Sequence, residues 1–183
     1  MSEHVRTVSR ILAAGAVLAL GLLVTPAAVA EPDAPPRGLA TADRLETQVL
    51  REINAFRTAR RLRPLRLSGA LAASAEHHSL DMVVDGFFGH DTQGSSYVGR
   101  VRSHYRSEGY RIWAVGENLL WASPTVSPRR ALWLWLRSPT HRANLLDPRW
   151  REVGLAAVHA STAPGYFRGL EVTVLTVDFG VRR

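Results

Sequence analysis

Apolar residues recur at helical spacing over residues 45–56, where Leu45, Val49, Ile53 and Phe56 fall on one face. Thr41 stands where it can cap this helix, Asp43 sits in its first turn, and Pro64 ends it. A second face follows Ser68, built from Leu71, Ala75, His78 and Met82 and closed by Gly86. A third helix is predicted over 98–107, ending at Gly109. Ser127 and Pro128 form a cap and first-turn pair for a fourth, which runs through Arg137. From Ala131 to Leu136 that helix is apolar without a break, so more than one of its sides is buried. Strand patterns cover 112–121, 153–160 and 172–179, the last with β-branched residues in alternation. Gly165, within Ala163-Pro164-Gly165-Tyr166, marks a turn between the last two strands and makes them an antiparallel pair. About four helices around a small antiparallel sheet predict an α+β layered domain.

The two ends of the chain differ in character. Residues 1–30 read as a signal peptide: Arg6 and Arg10 precede an apolar run from Ile11 to Val24, and Ala28-Val29-Ala30 forms a small-residue cleavage site. Gly15 and Gly21 interrupt the run, which is short for a membrane anchor, so no transmembrane anchor is expected after cleavage. Residues 31–40 hold three prolines and read as a flexible leader. Residues 41–183 form one domain, expected to be a monomer, with no repeats.

Composition narrows the partners. There are no cysteines, so the core holds the fold without disulfides. All 23 basic residues are arginine, and the net charge is +7. Removing residues 1–30 takes away two arginines and Glu3 and leaves +6. A basic exported domain is drawn to anionic wall polymers or lipid headgroups. The arginines are scattered and no nucleic-acid motif is present, which argues against a nucleic-acid partner.

Three segments carry the chemistry: Phe87-Phe88-Gly89-His90, Gly116-Glu117-Asn118-Leu119 and Trp135-Leu136-Arg137-Ser138-Pro139-Thr140-His141-Arg142. Two imidazoles and one carboxylate can hold a divalent metal with coordination positions left open, or can serve proton transfer. A structural alternative stands beside this: His141 capping a helix end and Glu117 satisfying backbone donors. His78 shares an apolar face and reads as core; His77 reads as solvated, and His104 and His159 have no partner at ligand spacing. Asn118 is expected to fix the backbone around Glu117 by local hydrogen bonds. Most of the aromatic residues read as core, although Tyr97 and the tryptophans could line a groove.

These segments, in this order, resemble the CAP superfamily of cysteine-rich secretory, antigen 5 and pathogenesis-related proteins, in its bacterial single-domain form. The resemblance runs from Leu45 to Gly180. It includes Asn54, Pro64-Leu65-Arg66-Leu67, Asp81-Met82, Arg100, Gly109-Tyr110, Ser138 through Asn144, Glu152-Val153-Gly154 and Asp178-Phe179-Gly180. It implies a three-layer α-β-α sandwich with a cleft of two histidines and two glutamates. His90, Glu117 and His141 match three of the four, and Ser138 occupies the place of the second glutamate. The resulting expectation is a secreted protein, with wall association a further part of it, whose His90/Glu117/His141 cleft binds a divalent ion, zinc foremost, and a lipid or cell-envelope ligand. Asn118, Ser138 and Trp135 support or line that cleft. A binding role is favoured over catalysis. The alternatives are a metal-dependent extracellular hydrolase, with Glu117 as candidate catalytic residue, and a purely structural wall module. No serine or cysteine nucleophile stands in a triad pattern.

Overall fold

In the computed structural model, residues 38–92 and 94–183 are described. The expected signal peptide and most of the leader lie outside them. Short strand β1 (Ala40–Thr41) leads into helix α1 (Asp43–Thr58). Strand β2 (Arg66–Leu67) precedes α2 (Gly69–Asp85), and α3 (Tyr97–His104) follows. Strand β3 (Trp113–Ala122), helices α4 (Pro128–Arg137) and α5 (Pro139–Leu146), and the long strands β4 (Glu152–Ala163) and β5 (Leu170–Arg182) complete the domain.

The sheet order is β1-β4-β5-β3, all antiparallel, with β2 added in parallel to β4. Strand alternation divides the sheet cleanly. Val153, Leu155 and Ala157 of β4 and Leu175, Val177, Phe179 and Val181 of β5 pack with Val49, Ile53, Trp135 and Leu145, beneath α1, α4 and α5. On the opposite face Val158, Ala160, Val172 and Val174 meet Met82 and Val83 of α2. The result is the α-β-α sandwich that the resemblance implies, with α2 and α3 on one side and α1, α4 and α5 on the other.

Several boundaries differ from the sequence reading. There are five helices among the described residues, because α5 begins immediately after α4. Ser138 is at once the last cap of one and the first cap of the other, and Pro139 starts the new helix with a preset φ. Thr41 lies in β1 and does not cap α1; Ala42 takes the cap position with no side-chain bond. Helix α1 stops at Thr58, well before Pro64. Its end is tied down by buried Arg57, which donates to the carbonyls of Arg63, Leu145 and Asp147. Helix α3 ends at His104 because the Tyr105 backbone leaves the helical region while its ring enters the core. The turn expected at Gly165 is present as a short 3₁₀ segment, Gly165–Phe167, and it joins β4 and β5 as an antiparallel pair.

Two glycines set how closely the layers meet. Gly86 caps α2 with φ of 67°. At Gly154 of β4, an added Cβ would lie 2.0 Å from the Leu71 carbonyl carbon and 2.1 Å from the Ala72 nitrogen. Backbone cannot step aside as a flexible side chain can, so α2 rests on β4 only because this position has no side chain. Gly154→Ala should therefore destabilise the domain by about 3 kcal/mol. Urea unfolding measures this, and a wild-type midpoint would show that α2 is not seated as described.

Candidate functional site

The site lies at β3, the outer strand of the sheet, where the two helical layers come together around its edge. Alternation sends Glu117 toward α2 and α3, while its neighbour Asn118 faces the α5 layer. The carboxylate of Glu117 is buried, its side chain only 1 % exposed. It accepts from His90 Nδ1 at 2.7 Å through one oxygen, and from the Arg100 guanidinium through the other. Arg100, on α3, also donates to the His90 carbonyl at 3.0 Å, so one guanidinium fixes both the carboxylate and the loop that brings the histidine to it.

Two further residues complete this buried side. Asp178 of β5 is directly opposite Glu117 in the strand register, fully buried, and 4.0 Å from Arg100 Nη2. Burial, and then the neighbouring Glu117 carboxylate, push its carboxyl well above the usual range, which favours protonated Asp178 beside the Glu117–Arg100 ion pair. His78 of α2 is fully buried, 4.0 Å from Glu117 Oε2, and its Nε2–H donates to the Gly89 carbonyl at 2.8 Å. Burial lowers its pKa and keeps it neutral. It anchors the residue immediately before His90.

His141 approaches from the other layer. Its ring centroid is 6.5 Å from that of His90, and the Tyr97 ring stands 6.1 Å from His90 on another side. Asn118 Nδ2 donates to the His141 carbonyl at 3.0 Å. Asn144, one turn along α5, donates to Asn118 Oδ1 and to the Glu117 carbonyl, both at 2.9 Å. Asn118 thus reaches across to α5 and does not make the local bonds expected from sequence. Trp135 is in the core, 1 % exposed, and its indole N–H donates to the Leu119 carbonyl at 2.9 Å. Ser138 contributes through its backbone, as the junction from which α5 sets out three residues before His141.

The structure thus brings His90, Glu117 and His141 together, with Asn118 beside them, and places Trp135 in the supporting core. The sequence reading did not assign Arg100, His78 or Asp178 to the site. For Asp178 a signal existed: a carboxylate in the middle of a strand rich in valine and other β-branched residues. Arg100, amid Val98, Gly99 and Val101, gave a similar one. His78 was read as core, which describes its burial but not its bond to the His90 loop. His104 and His159 do have partners: His77 for the first, Glu171 and Thr173 for the second.

A divalent ion can be set against this geometry. Glu117 has both oxygens engaged, one of them by a cation, so it is not presented as a direct ligand. His90 has Nδ1 committed to Glu117, which leaves Nε2 as the nitrogen a ligand would meet, and His141 offers a second ring nearby. A carboxylate behind a ligating imidazole is a common metal-site arrangement, so the two histidines fit the group, with Glu117 supporting His90.

The comparisons with known proteins agree with the fold. The family model "CAP: Cysteine-rich secretory protein family" matches residues 50–179, and the chain belongs to that family. It does so without a single cysteine. The uncharacterized protein YkwD of Bacillus subtilis (strain 168) is 29% identical over 119 residues, 64% of this chain and 44% of that protein. This chain thus spans less than half the length of that curated relative. An outer surface protein from Borrelia burgdorferi superposes with a TM-score of 0.61 at 18% identity, over 79% of this chain and 98% of that one. An extracellular protein containing an SCP domain from Bacillus anthracis gives 0.58 at 25% identity, over 77% of this chain and 41% of that one.

Two outcomes follow from the site. Arg100→Ala should cost about 3–5 kcal/mol, because it strands buried Glu117 without its cation. Combined with Glu117→Gln it should cost clearly less than the sum of the two single changes, a coupling that a double-mutant cycle in urea reads directly. The histidines also divide by sign. His78 and His141 are lowered by burial from 6.5, so the unfolded chain binds more protons. The stability that depends on them is complete above about pH 6.5 and falls as pH drops through their folded values. His90 is raised, chiefly by its bond to Glu117, so its contribution is complete below about pH 6.5 and fades as pH rises through its folded value. Denaturation across pH 5–8 should show a shallower acid slope in His78→Gln and loss of the alkaline decline in His90→Gln.

Proposed function

We propose that this chain is an exported bacterial CAP-domain protein whose His90–His141 cleft binds a divalent ion, with zinc the best match, and an anionic or lipid component of the cell envelope. The observation that carries this reading is the 2.7 Å bond from His90 Nδ1 to a Glu117 carboxylate that Arg100 holds in place. It orients one imidazole and leaves Nε2 for a ligand in reach of the His141 ring. Export is supported by the arginine, apolar-run and Ala-Val-Ala pattern of residues 1–30. The similar SCP-domain protein of Bacillus anthracis is extracellular, which points the same way. The charge of +6 that remains without residues 1–30 favours an anionic partner.

In this reading His90 and His141 would hold the ion, Glu117 orients His90, and Asn118 and Asn144 fix α5 so that His141 faces the cleft. A bound zinc ion would supply a Lewis acid for an oxygen ligand such as a phosphate or carboxylate. Glu117, with both oxygens occupied, is a positioning residue here and not a base offered to water. That favours binding over the metal-dependent hydrolase.

Zinc titration calorimetry tests the proposal. The wild type should show a binding signal that is absent from the His90→Gln/His141→Gln variant and weakened about 10–100-fold by Glu117→Gln, which removes the carboxylate behind His90 as well as the partner of Arg100. The same signal should weaken as pH falls from about 7.5 to 5.5, because a proton on His90, itself favoured by Glu117, competes with the metal. A signal unchanged in the double variant would remove the metal from this cleft.

A further inference from the structure

A second pair of histidines lies outside the cleft, on the outer side of the α2–α3 layer. His77 of α2 and His104, the last residue of α3, approach with His77 Nδ1 and His104 Nε2 3.4 Å apart, their rings nearly perpendicular at 73°. That separation is long for an N–H···N bond. It equals the bite of two nitrogens around one tetrahedral first-row metal: bonds of about 2.0–2.1 Å at a tetrahedral angle set the nitrogens about 3.3–3.4 Å apart. On the far side of the His77 ring, Nε2 is 3.5 Å from Asp81 Oδ2, one helical turn along α2. A carboxylate there favours the tautomer with hydrogen on Nε2 and leaves Nδ1, the nitrogen on the His104 side, with its lone pair available. The His77 side chain is 56 % exposed, so an ion from solution can reach the pair.

We propose that His77 and His104 form a second divalent-metal site, separate from the cleft, in which a borderline ion such as zinc bridges α2 and α3, with Asp81 orienting His77. Imidazole nitrogens suit zinc, copper and nickel rather than magnesium or calcium, and the remaining positions would be filled by water. The bridge joins elements that both serve the cleft. His77 is next to His78, which anchors the His90 loop. His104 is one turn beyond Arg100 on α3, the residue that holds Glu117. An ion here is a clamp that keeps α3 against α2, and so keeps Arg100 on Glu117. It carries out no reaction.

The test uses the full domain with the cleft disabled by His90→Gln and His141→Gln, so that its result is independent of the cleft reading. Zinc chloride titrated into that protein should bind with one ion per chain. The affinity should drop at least 10-fold on adding either His104→Gln or His77→Gln, and the thermal midpoint should rise with zinc only while both histidines are present. In ¹⁵N spectra, His77 Nδ1 and His104 Nε2 should both shift on zinc addition. His77 is exposed and His104 half-buried, and neither belongs to a core cluster, so the variants should fold, and an unchanged circular dichroism spectrum confirms it. Absence of binding in the cleft-disabled protein, or binding that survives loss of both His77 and His104, overturns the proposal.

Discussion

A buried carboxylate with a single cation is the constraint around which this domain is organised. Glu117 is turned inward by strand alternation into a buried part of the sheet, and an isolated charge there would be prohibitively costly. Arg100 answers it, and in doing so α3 has to lie where its guanidinium reaches β3. The same guanidinium holds the His90 carbonyl, and Glu117 holds the His90 ring. Helix, loop and strand are therefore positioned by one charge pair, and Asp178 on the next strand is driven toward its neutral form by burial and by the Glu117 carboxylate. Replacing such a pair with well-packed apolar residues can be neutral for stability. The arrangement is better understood as a means of fixing geometry than as a source of stability.

The opposite layer solves a different problem with neutral groups. An outer strand exposes alternate backbone carbonyls to whatever lies beside it. Here the carbonyls of Glu117 and Leu119 are taken by the Asn144 amide and the Trp135 indole, both from the α4–α5 segment. Asn118 completes the set by holding the His141 carbonyl. The two histidines of the cleft are thus carried by independent supports, one ionic and one amide-based, which meet around a single strand.

Much of this was legible in the sequence, and the reasons for the exceptions are physical. Helices α1, α2 and α4 announce themselves by periodicity, and β5 by its β-branched alternation. The order of short motifs pointed to the family and to His90, Glu117 and His141. Helix α5 was not visible because its eight residues, Pro139–Leu146, show little amphipathic contrast; it is set by Ser138-Pro139 and by contacts from Asn118, Asn144 and Arg57. Arg100 and Asp178 left only a weak signal, a charged residue type at an inward-facing position, because what each does depends on Glu117, which the fold alone brings beside them. The bond from His78 to the loop ahead of His90 is likewise a tertiary fact, since an apolar helical face looks the same whether or not its histidine has a carbonyl to meet.

The sealing of β3 by side chains has a consequence for how this protein fails. The groups that close the strand edge are the ones that place His141, so loosening α4 and α5 opens the binding cleft and bares an unpaired strand in one event. Loss of function and gain of stickiness then coincide, with no inactive but well-behaved intermediate between them. Damage at this corner then removes the molecule from solution rather than leaving a folded but silent copy behind.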